Sequence, residues 1–233
     1  MTLPTHIDAV FCDVGGPIYD DENFVAAVLI ALDDLLAEDG RPPADRAAVR
    51  TIYDRVRVAQ AGSFRTALAV EILRDAARRA ELHDRTRDHW RHPTGTLYPD
   101  AGDLLRALHG RVVTGILANQ EASVVDALTR DGLSPFIDVW GVSAAVGHEK
   151  PSPEFFRWAL DQAGVPPERA VHIGNRLDTD VRPAKALGLG TVWVLRGDAP
   201  DHPTDAQLAE PDLTVDTLDG LAEILLGGRE QSR

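Results

Sequence analysis

The sequence predicts an α/β protein: a three-layer sandwich with a mostly parallel, Rossmann-like sheet of five or six strands and an inserted helical domain. A short apolar segment rich in strand formers stands near the start, at residues 8–14. From residue 99 onward, similar segments alternate with helical patterns, which is typical of parallel strands joined by right-handed crossovers. Between the two, residues 20–95 carry long helical patterns and no convincing strand. These three observations give the fold class.

The first strand is predicted to end in a sharp loop. Its apolar run reaches Val14 and is followed at once by Gly15, Gly16 and Pro17, which are residues typical of tight loops. A continuous apolar run of this length indicates a strand that is buried on both faces. Asp13 therefore lies at the carboxyl end of a core strand, where open α/β sheets carry their chemistry.

The helical insertion is predicted from apolar residues that recur at intervals of three and four, such as Phe24, Val28 and Leu32. Breakers at 40–43 and 62–63 divide it. The predicted helices cover residues 23–38, 44–61, 64–80 and 84–90. We therefore predict an α/β core domain from residues 1–19 and 96–233, and a helical cap domain from residues 20–95.

The second half of the chain contains the remaining elements of the predicted sheet. Strands are predicted at 112–118, 136–142, 170–173, 191–195 and 213–215. Helices are predicted at 101–108, 121–130, 153–163, 181–187 and 218–226. Ser152 is expected to cap the helix that begins at Pro153, and Asp180 the helix that begins at Val181. No element is predicted for the polar end at 229–233.

Composition and charge restrict the location and the partners. The chain of 233 residues has a formal net charge of −13, which repels nucleic acid and anionic lipid. It has no apolar run of the roughly 18 residues that a spanning helix needs, and no basic, apolar leader. The single cysteine, Cys12, excludes an internal disulfide framework. We expect a cytoplasmic protein with a small-molecule substrate and no nucleic-acid or membrane partner.

Four groups of polar residues follow predicted strands or lie in the loops near them. They are Asp13, the segment 118–120, Lys150 with Pro151, and the segment 174–180. Because the carboxyl ends of parallel strands share one edge of the sheet, we expect these four groups to converge.

The order and spacing of these groups resemble the haloacid dehalogenase superfamily with a helical, C1-type cap. The resemblance implies a hydrolase in which Asp13 is the nucleophile and Lys150 neutralises phosphate charge. It also implies a Mg²⁺ ion, held by Asp13, the Gly15 carbonyl and Asn175 or Asp180. The residues expected to bind phosphate are Gly15, Gly16, Asn119, Gln120 and Arg176.

Three positions depart from the pattern of that family. Gly15 replaces the acid–base aspartate, Ala118 replaces a hydroxyl residue, and Asn175 replaces a metal-binding carboxylate. Loss of general acid–base help typically costs about 10²–10⁴ in rate, which a good leaving group tolerates. We expect a Mg²⁺-dependent phosphatase of a small phosphorylated metabolite, as a monomer or a homodimer.

Two alternatives stay open at this point. One is a metal-independent 2-haloacid dehalogenase-like hydrolase, because Asn175 and Asp178 have the spacing found in that branch. The other is a non-catalytic, regulatory relative, because three polar groups of the site are missing.

Overall fold

The structure, a computed structural model, describes residues 2–20 and 22–227, so the polar end at 229–233 lies outside the described residues. The chain divides into two units: Met1–Asp20 with Thr94–Arg233, and Asp21–Pro93. The first is built on a sheet, and the regular elements of the second, within its described residues 22–93, are helices. In the described part of the chain, no helix combines the length and the apolar character needed to cross a membrane.

The sheet of the first unit has six strands, all of them parallel. The strands are β1 (Ala9–Cys12), β2 (Val113–Ala118), β3 (Val139–Val142), β4 (Ala170–Gly174), β5 (Gly190–Val194) and β6 (Leu213–Val215). Their order in the sheet is β3-β2-β1-β4-β5-β6, so β2 and β3 lie on one side of β1 and the other three strands lie on its other side. The predicted α/β fold class is confirmed.

Helices cover both faces of this sheet, as the alternating side chains of β1 show. Val10 and Cys12 belong to a core shared with α5 (Pro99–Leu108), α6 (Ser123–Arg130) and α11 (Leu221–Leu226). Ala9 and Phe11 belong to a core shared with α8 (Pro153–Ala163) and α9 (Arg182–Ala186). All four residues are buried, as a parallel strand between two helical layers requires. The predicted three layers are therefore present.

Four helices form the second unit. They are α1 (Glu22–Glu38), α2 (Arg46–Ala59), α3 (Phe64–Glu71) and α4 (Arg79–His89). Their apolar faces meet in a separate core that contains Val28, Leu32 and Leu82. The three- and four-residue spacing that predicted α1 thus marks the face that is buried.

The predicted bounds of the helices at 64–80 and 84–90 are wrong, because α3 ends at Glu71 and α4 already begins at Arg79. The chain leaves the helical conformation after α3, because Arg74 adopts a positive φ of 62°. Asp75 then caps a 3₁₀ turn, Ala76–Arg78, by accepting a hydrogen bond from the Ala77 amide. The 3₁₀ turn continues directly into α4. The turn was not predicted because the apolar pattern continues across it. The capping aspartate is what begins the new helical segment.

Two further differences concern short elements. Asp180 does not cap a helix at Val181, because it lies inside a π-helical turn, Leu177–Val181, that precedes α9. The short helices α7 (Ser143–Val146) and α10 (Asp205–Leu208) were not predicted. The helix α10 has a capping box between Thr204 and Gln207, which is a signal that the sequence contains. By contrast, Ser152 caps α8 as predicted, accepting from the Glu154 amide.

Candidate active site

Asp13 lies directly after β1, at the point where the strand order of the sheet reverses. Such a switch point leaves a crevice at the carboxyl ends of the strands, where ligands bind in α/β proteins. The Asp13 amide donates to the Ile173 carbonyl of the neighbouring strand at 2.8 Å, which fixes the backbone. Its carboxylate oxygen Oδ1 accepts a hydrogen bond from the Val14 amide at 2.8 Å. The same oxygen lies 2.9 Å from the ammonium group of Lys150.

Lys150 links two carboxylates that are far apart in the sequence. Its Nζ lies 2.9 Å from Asp13 Oδ1 and 2.6 Å from Asp180 Oδ1, and the residue is only 3% exposed. Burial alone favours the neutral amine, but the charges of Asp13 and Asp180 outweigh it and raise the pKa of Lys150. Lys150 is therefore a fixed positive charge at the end of β1.

The environments of the two carboxylates push their pKa values apart. Burial raises the pKa of Asp13, and the charge of Asp180 adds to this effect while Lys150 opposes it. Burial also acts on Asp180, but Lys150 and a hydrogen bond from His172 outweigh it and lower the pKa of Asp180. Opposite shifts in neighbouring carboxyl groups are typical of functional sites.

The loop after β1 uses some of its amides internally and leaves one without a partner. The Gly16 amide donates to the Tyr19 carbonyl at 2.8 Å, and the Val14 amide is taken by Asp13. Within residues 2–20 and 22–227, the Gly15 amide donates no hydrogen bond. Of the amides that follow Asp13, the Gly15 amide is therefore the one available to an anion.

Asn119 and Gln120 follow β2 and contact neighbouring loops. The Asn119 side chain donates to the Lys150 carbonyl at 2.8 Å and accepts from the Lys150 amide at 2.7 Å. It therefore holds the backbone that carries the ammonium group. The Gln120 carbonyl accepts from the Ala144 amide and the Ser143 hydroxyl, both at 3.3 Å. Phosphate binding by either side chain stays a prediction.

Asn175 is buried against the loop that follows Asp13. Its Nδ2 donates to the Arg196 carbonyl at 3.2 Å, and its own carbonyl accepts from Trp193 Nε1 at 2.9 Å. Gly16 has a φ of +88°, and a Cβ built there would lie 2.1 Å from Asn175 Nδ2. Only glycine allows this close approach of the two loops.

Gly16→Ala is expected to destabilise the protein more than Gly110→Ala. Gly110 also has a positive φ, +74°, but a Cβ there would meet nothing within 4 Å. Backbone strain alone should cost Gly110→Ala about 1–2 kcal/mol. The clash with Asn175 should cost Gly16→Ala about 1–3 kcal/mol more. Urea unfolding of both variants measures the difference, and equal losses would contradict the close approach.

Arg176 is placed on carboxylates of its own loop and of the loop after β5. Its guanidinium donates to both Asp178 oxygens, at 3.0 and 2.9 Å, and lies 3.3 Å from Asp198. Its amide donates to Asp180 Oδ2 at 3.0 Å. The Arg176 backbone thus contacts Asp180, the carboxylate that pairs with Lys150. Phosphate binding by the guanidinium stays a prediction.

The sequence did not single out His172, Asp100 and Arg196, which also bear on the site. His172 Nε2 lies 3.0 Å from Asp180 Oδ1. Arg196, whose carbonyl holds Asn175, forms a double ion pair with Asp100, and Asp100 accepts from the Leu218 amide at 2.9 Å. The polar His172 within an otherwise apolar β4 was the signal available for it. A buried aspartate at the start of α5 gives no comparable signal.

The parallel sheet has Asp13 after its central strand and a buried lysine beside it. The model of the haloacid dehalogenase-like hydrolase family matches residues 7–188, and the chain belongs to that family. The predictions of the family and of a hydrolase are confirmed.

Curated relatives of this chain include several phosphatases. A phosphoserine phosphatase from Thermus thermophilus is 35% identical over 167 residues, covering 69% of this chain and 64% of that protein. A phosphoglycolate phosphatase from Pseudomonas putida is 29% identical over 233 residues, covering 94% and 79%. A glyceraldehyde 3-phosphate phosphatase from Methanocaldococcus jannaschii is 37% identical over 100 residues, covering 43% and 42%. The chain thus spans less than two thirds of the length of two of these three relatives.

Solved structures share the fold across nearly the whole chain. A haloacid dehalogenase-like hydrolase from Streptococcus pneumoniae superposes with a TM-score of 0.70 at 18% identity, covering 94% of this chain and 98% of that one. At this identity the likeness shows the fold alone.

Proposed function

We propose that this hydrolase is a phosphatase that acts on a small phosphorylated metabolite through a phosphorylated Asp13. The observation that carries the proposal is the pairing of Asp13 with a buried lysine at the switch point of the sheet. Relatives that are named phosphatases of phosphoserine and phosphoglycolate support the reaction class. The substrate of this chain is not specified by those names.

The contacts of Asp13 leave one oxygen available for attack. Oδ1 is occupied by the Val14 amide and Lys150, whereas Oδ2 accepts no hydrogen bond from the described residues. Attack by Oδ2 on phosphorus forms an acyl phosphate and breaks the bond to the leaving oxygen, which departs as an anion and takes up a proton from solvent water. Water then attacks phosphorus, releasing phosphate and regenerating the carboxylate. The Gly15 amide, which donates no hydrogen bond within the described residues, and the ammonium group of Lys150 would stabilise the developing negative charge.

Gly15 restricts the leaving groups that the site handles well. It has no side chain to protonate the departing oxygen or to activate water. General acid–base help of that kind is typically worth about 10²–10⁴ in rate. We therefore propose that the favoured substrates release a weakly basic oxygen, as acyl phosphates and anomeric sugar phosphates do.

The oxygen atoms around Asp13 fit a hard cation, with one revision to the ligand set. The Gly15 carbonyl and Asn175 Oδ1 accept no hydrogen bond within the described residues, and Asp13 adds a carboxylate. These are the oxygen ligands that Mg²⁺ prefers. Asp180 does not fit, because Lys150, His172 and the Arg176 amide occupy both of its oxygens. We therefore assign Mg²⁺ to Asp13, Gly15 and Asn175.

This ligand set carries a single negative charge, so binding is expected to be weak. No cluster of three or more acidic, histidine or cysteine side chains suited to a metal occurs within residues 2–20 and 22–227. When bound, Mg²⁺ would offset the repulsion between a phosphate dianion and the Asp13 carboxylate. Lys150 supplies the fixed part of the same compensation.

Asn175→Asp is expected to tighten Mg²⁺ binding by about tenfold or more, since metal affinity rises with ligand charge. Gln120→Glu, which adds one negative charge in the loop after β2, is the matched control. Isothermal titration with MgCl₂ compares the two variants with the unmodified protein. Unchanged affinity in Asn175→Asp, or equal gains in both variants, would contradict the assignment.

The dehalogenase alternative receives less support from the geometry. Asp178, whose spacing from Asn175 suggested that branch, is paired with Arg176. The reactions are separated by two assays on one preparation: phosphate release from a panel of phosphate esters and acyl phosphates with MgCl₂ or EDTA, and halide release from 2-haloacids with EDTA. Phosphate release that requires MgCl₂ is the expected result. Halide release, or no turnover at all, would favour the dehalogenase or the non-catalytic alternative.

The helical unit Asp21–Pro93 is proposed to serve as the cap domain of the enzyme. Its place in the chain, after β1 and before α5, supports this role. The cytoplasmic location, the absence of nucleic-acid and membrane partners, and a monomeric or homodimeric state stay predictions.

A further inference from the structure

His172 is a buried polar residue in the middle of β4. It is 1% exposed, and its Nε2 lies 3.0 Å from Asp180 Oδ1. Because a carboxylate only accepts, the hydrogen of this bond belongs to Nε2. Nδ1 has no hydrogen-bond partner among the described residues. The ring packs edge-on against Phe156, with centroids 5.2 Å apart, so the imidazole is held in one orientation.

Both carboxylate oxygens of Asp180 accept hydrogen bonds, and its side chain lies close to Gly174. Oδ1 receives His172 Nε2 and Lys150 Nζ, while Oδ2 receives the Arg176 amide at 3.0 Å. A Cβ built on Gly174 would lie 2.3 Å from Asp180 Cγ, so glycine there is what allows the carboxylate to approach the strand. The carboxylate is therefore a rigid acceptor with a defined direction.

Lys150 depends on that acceptor for its position. A lysine ammonium on a flexible four-carbon stem has no preferred geometry of its own. Here it is held between Asp180 Oδ1 at 2.6 Å and Asp13 Oδ1 at 2.9 Å. Any rotation of Asp180 would move the ammonium relative to Asp13.

We propose that His172 is a positioning residue, which fixes Asp180 so that Lys150 points at Asp13. Four side chains thus form one ordered series: His172 from β4, Asp180 from the π-helical turn, Lys150 from its loop and Asp13 from the loop after β1. The effect on turnover rests on the proposed phosphatase function, whereas the effect on Lys150 does not.

The lysine content of the chain allows a direct test. Lys150 and Lys185 are the two lysines of the sequence. The Lys150 side chain is 2% exposed, whereas that of Lys185 is 23% exposed and serves as the internal reference. Brief acylation with acetic anhydride, read by peptide mass spectrometry, gives the labelling ratio of Lys150 to Lys185. His172→Leu removes the donor at similar volume, and His172→Gln retains a donor.

His172→Leu is expected to raise the labelling ratio about tenfold and to lower kcat by a similar factor, with KM within about twofold. His172→Gln should restore both values to within about threefold of the unmodified protein. An unchanged labelling ratio in His172→Leu, or equal changes in both variants, would overturn the proposal.

Two further outcomes are separable. If His172→Leu does not fold, His172→Asn replaces it, because its amide is too short to reach Asp180. His172→Asn should then show a higher labelling ratio of Lys150 to Lys185 than His172→Gln, and equal labelling ratios in these two variants would overturn the proposal. If the unmodified protein releases no phosphate, the proposed function fails, while the labelling ratios still decide the role of His172.

Discussion

Asp13→Asn is expected to abolish phosphate release, lowering kcat by about 10³-fold or more, as loss of a nucleophile does in other hydrolases. The amide has neither the charge nor the basicity to attack phosphorus. Asp8→Asn is the matched control, because it makes the same change beside the other end of β1, where Asp8 pairs with Arg169 at 2.5 Å. Phosphate release should stay within about twofold in the control. Undiminished turnover in Asp13→Asn would refute the mechanism.

The stability of Asp13→Asn separates lost chemistry from lost structure. Asp13 and Asp180 share a single lysine, and burial raises the pKa of Asp13. An acid whose pKa is raised on folding destabilises the folded state as pH rises from its unfolded pKa through its folded pKa. Removing this charge should therefore leave the protein at least as stable at pH 7, while Asp180 keeps its lysine. Urea unfolding checks this, and a loss of stability at pH 7 would contradict it.

Lys150→Met is expected to inactivate the enzyme and to lower the free energy of unfolding by about 3–5 kcal/mol at pH 7. The substitution leaves the buried Asp180 carboxylate and the partly buried Asp13 carboxylate without their lysine. Lys185→Met is the control, because Lys185 is partly exposed and lies 3.4 Å from Asp212. It should cost no more than about 1 kcal/mol.

The deficit of Lys150→Met should depend on pH with a defined sign. In the unmodified protein the pKa of Lys150 is raised. Its contribution to the free energy of unfolding is therefore fully present below about pH 10.4, the ordinary pKa of lysine, and is lost only as pH rises through the folded pKa. The pKa of Asp180 is lowered, so its contribution is present above its unfolded pKa and is lost as pH falls through the folded pKa. Without Lys150 both carboxyl groups gain protons more readily. The deficit should therefore shrink as pH falls from 7 towards 4, and a deficit that grows would contradict this account.

The sheet could be predicted because its strands β1, β4 and β5 are buried on both faces. Each strand is a short apolar run, and the loop after β1 begins with two glycines and a proline, so Asp13 and its place were evident. The break between α3 and α4 was missed because apolar residues recur at intervals of four across it, as in Leu68, Ile72 and Ala76. What breaks the helix is Arg74 with its positive φ and the Asp75 cap, which are local features with weak signals.

The contacts of the site were less accessible from the sequence than its location. Asn119 holds the Lys150 backbone across 31 positions, and His172 reaches Asp180 within a strand and turn whose geometry is irregular. A π-helical turn changes which side chains face the sheet. The contacts that Asp180 makes from within this turn were therefore not evident when it was predicted as a metal ligand. Side-chain roles of this kind depend on atoms that meet only after folding.

The central claim, that catalysis passes through a phosphorylated Asp13, is tested most directly by trapping. The enzyme is quenched in acid during turnover of an acyl phosphate with MgCl₂, and its peptides, cut with pepsin at low pH so that an acyl phosphate is retained, are mapped by mass spectrometry. We predict a phosphoryl adduct on the Asp13 carboxylate of the unmodified protein and none in Asp13→Asn. Phosphate release without an adduct at Asp13, or an adduct at another residue, would contradict the account.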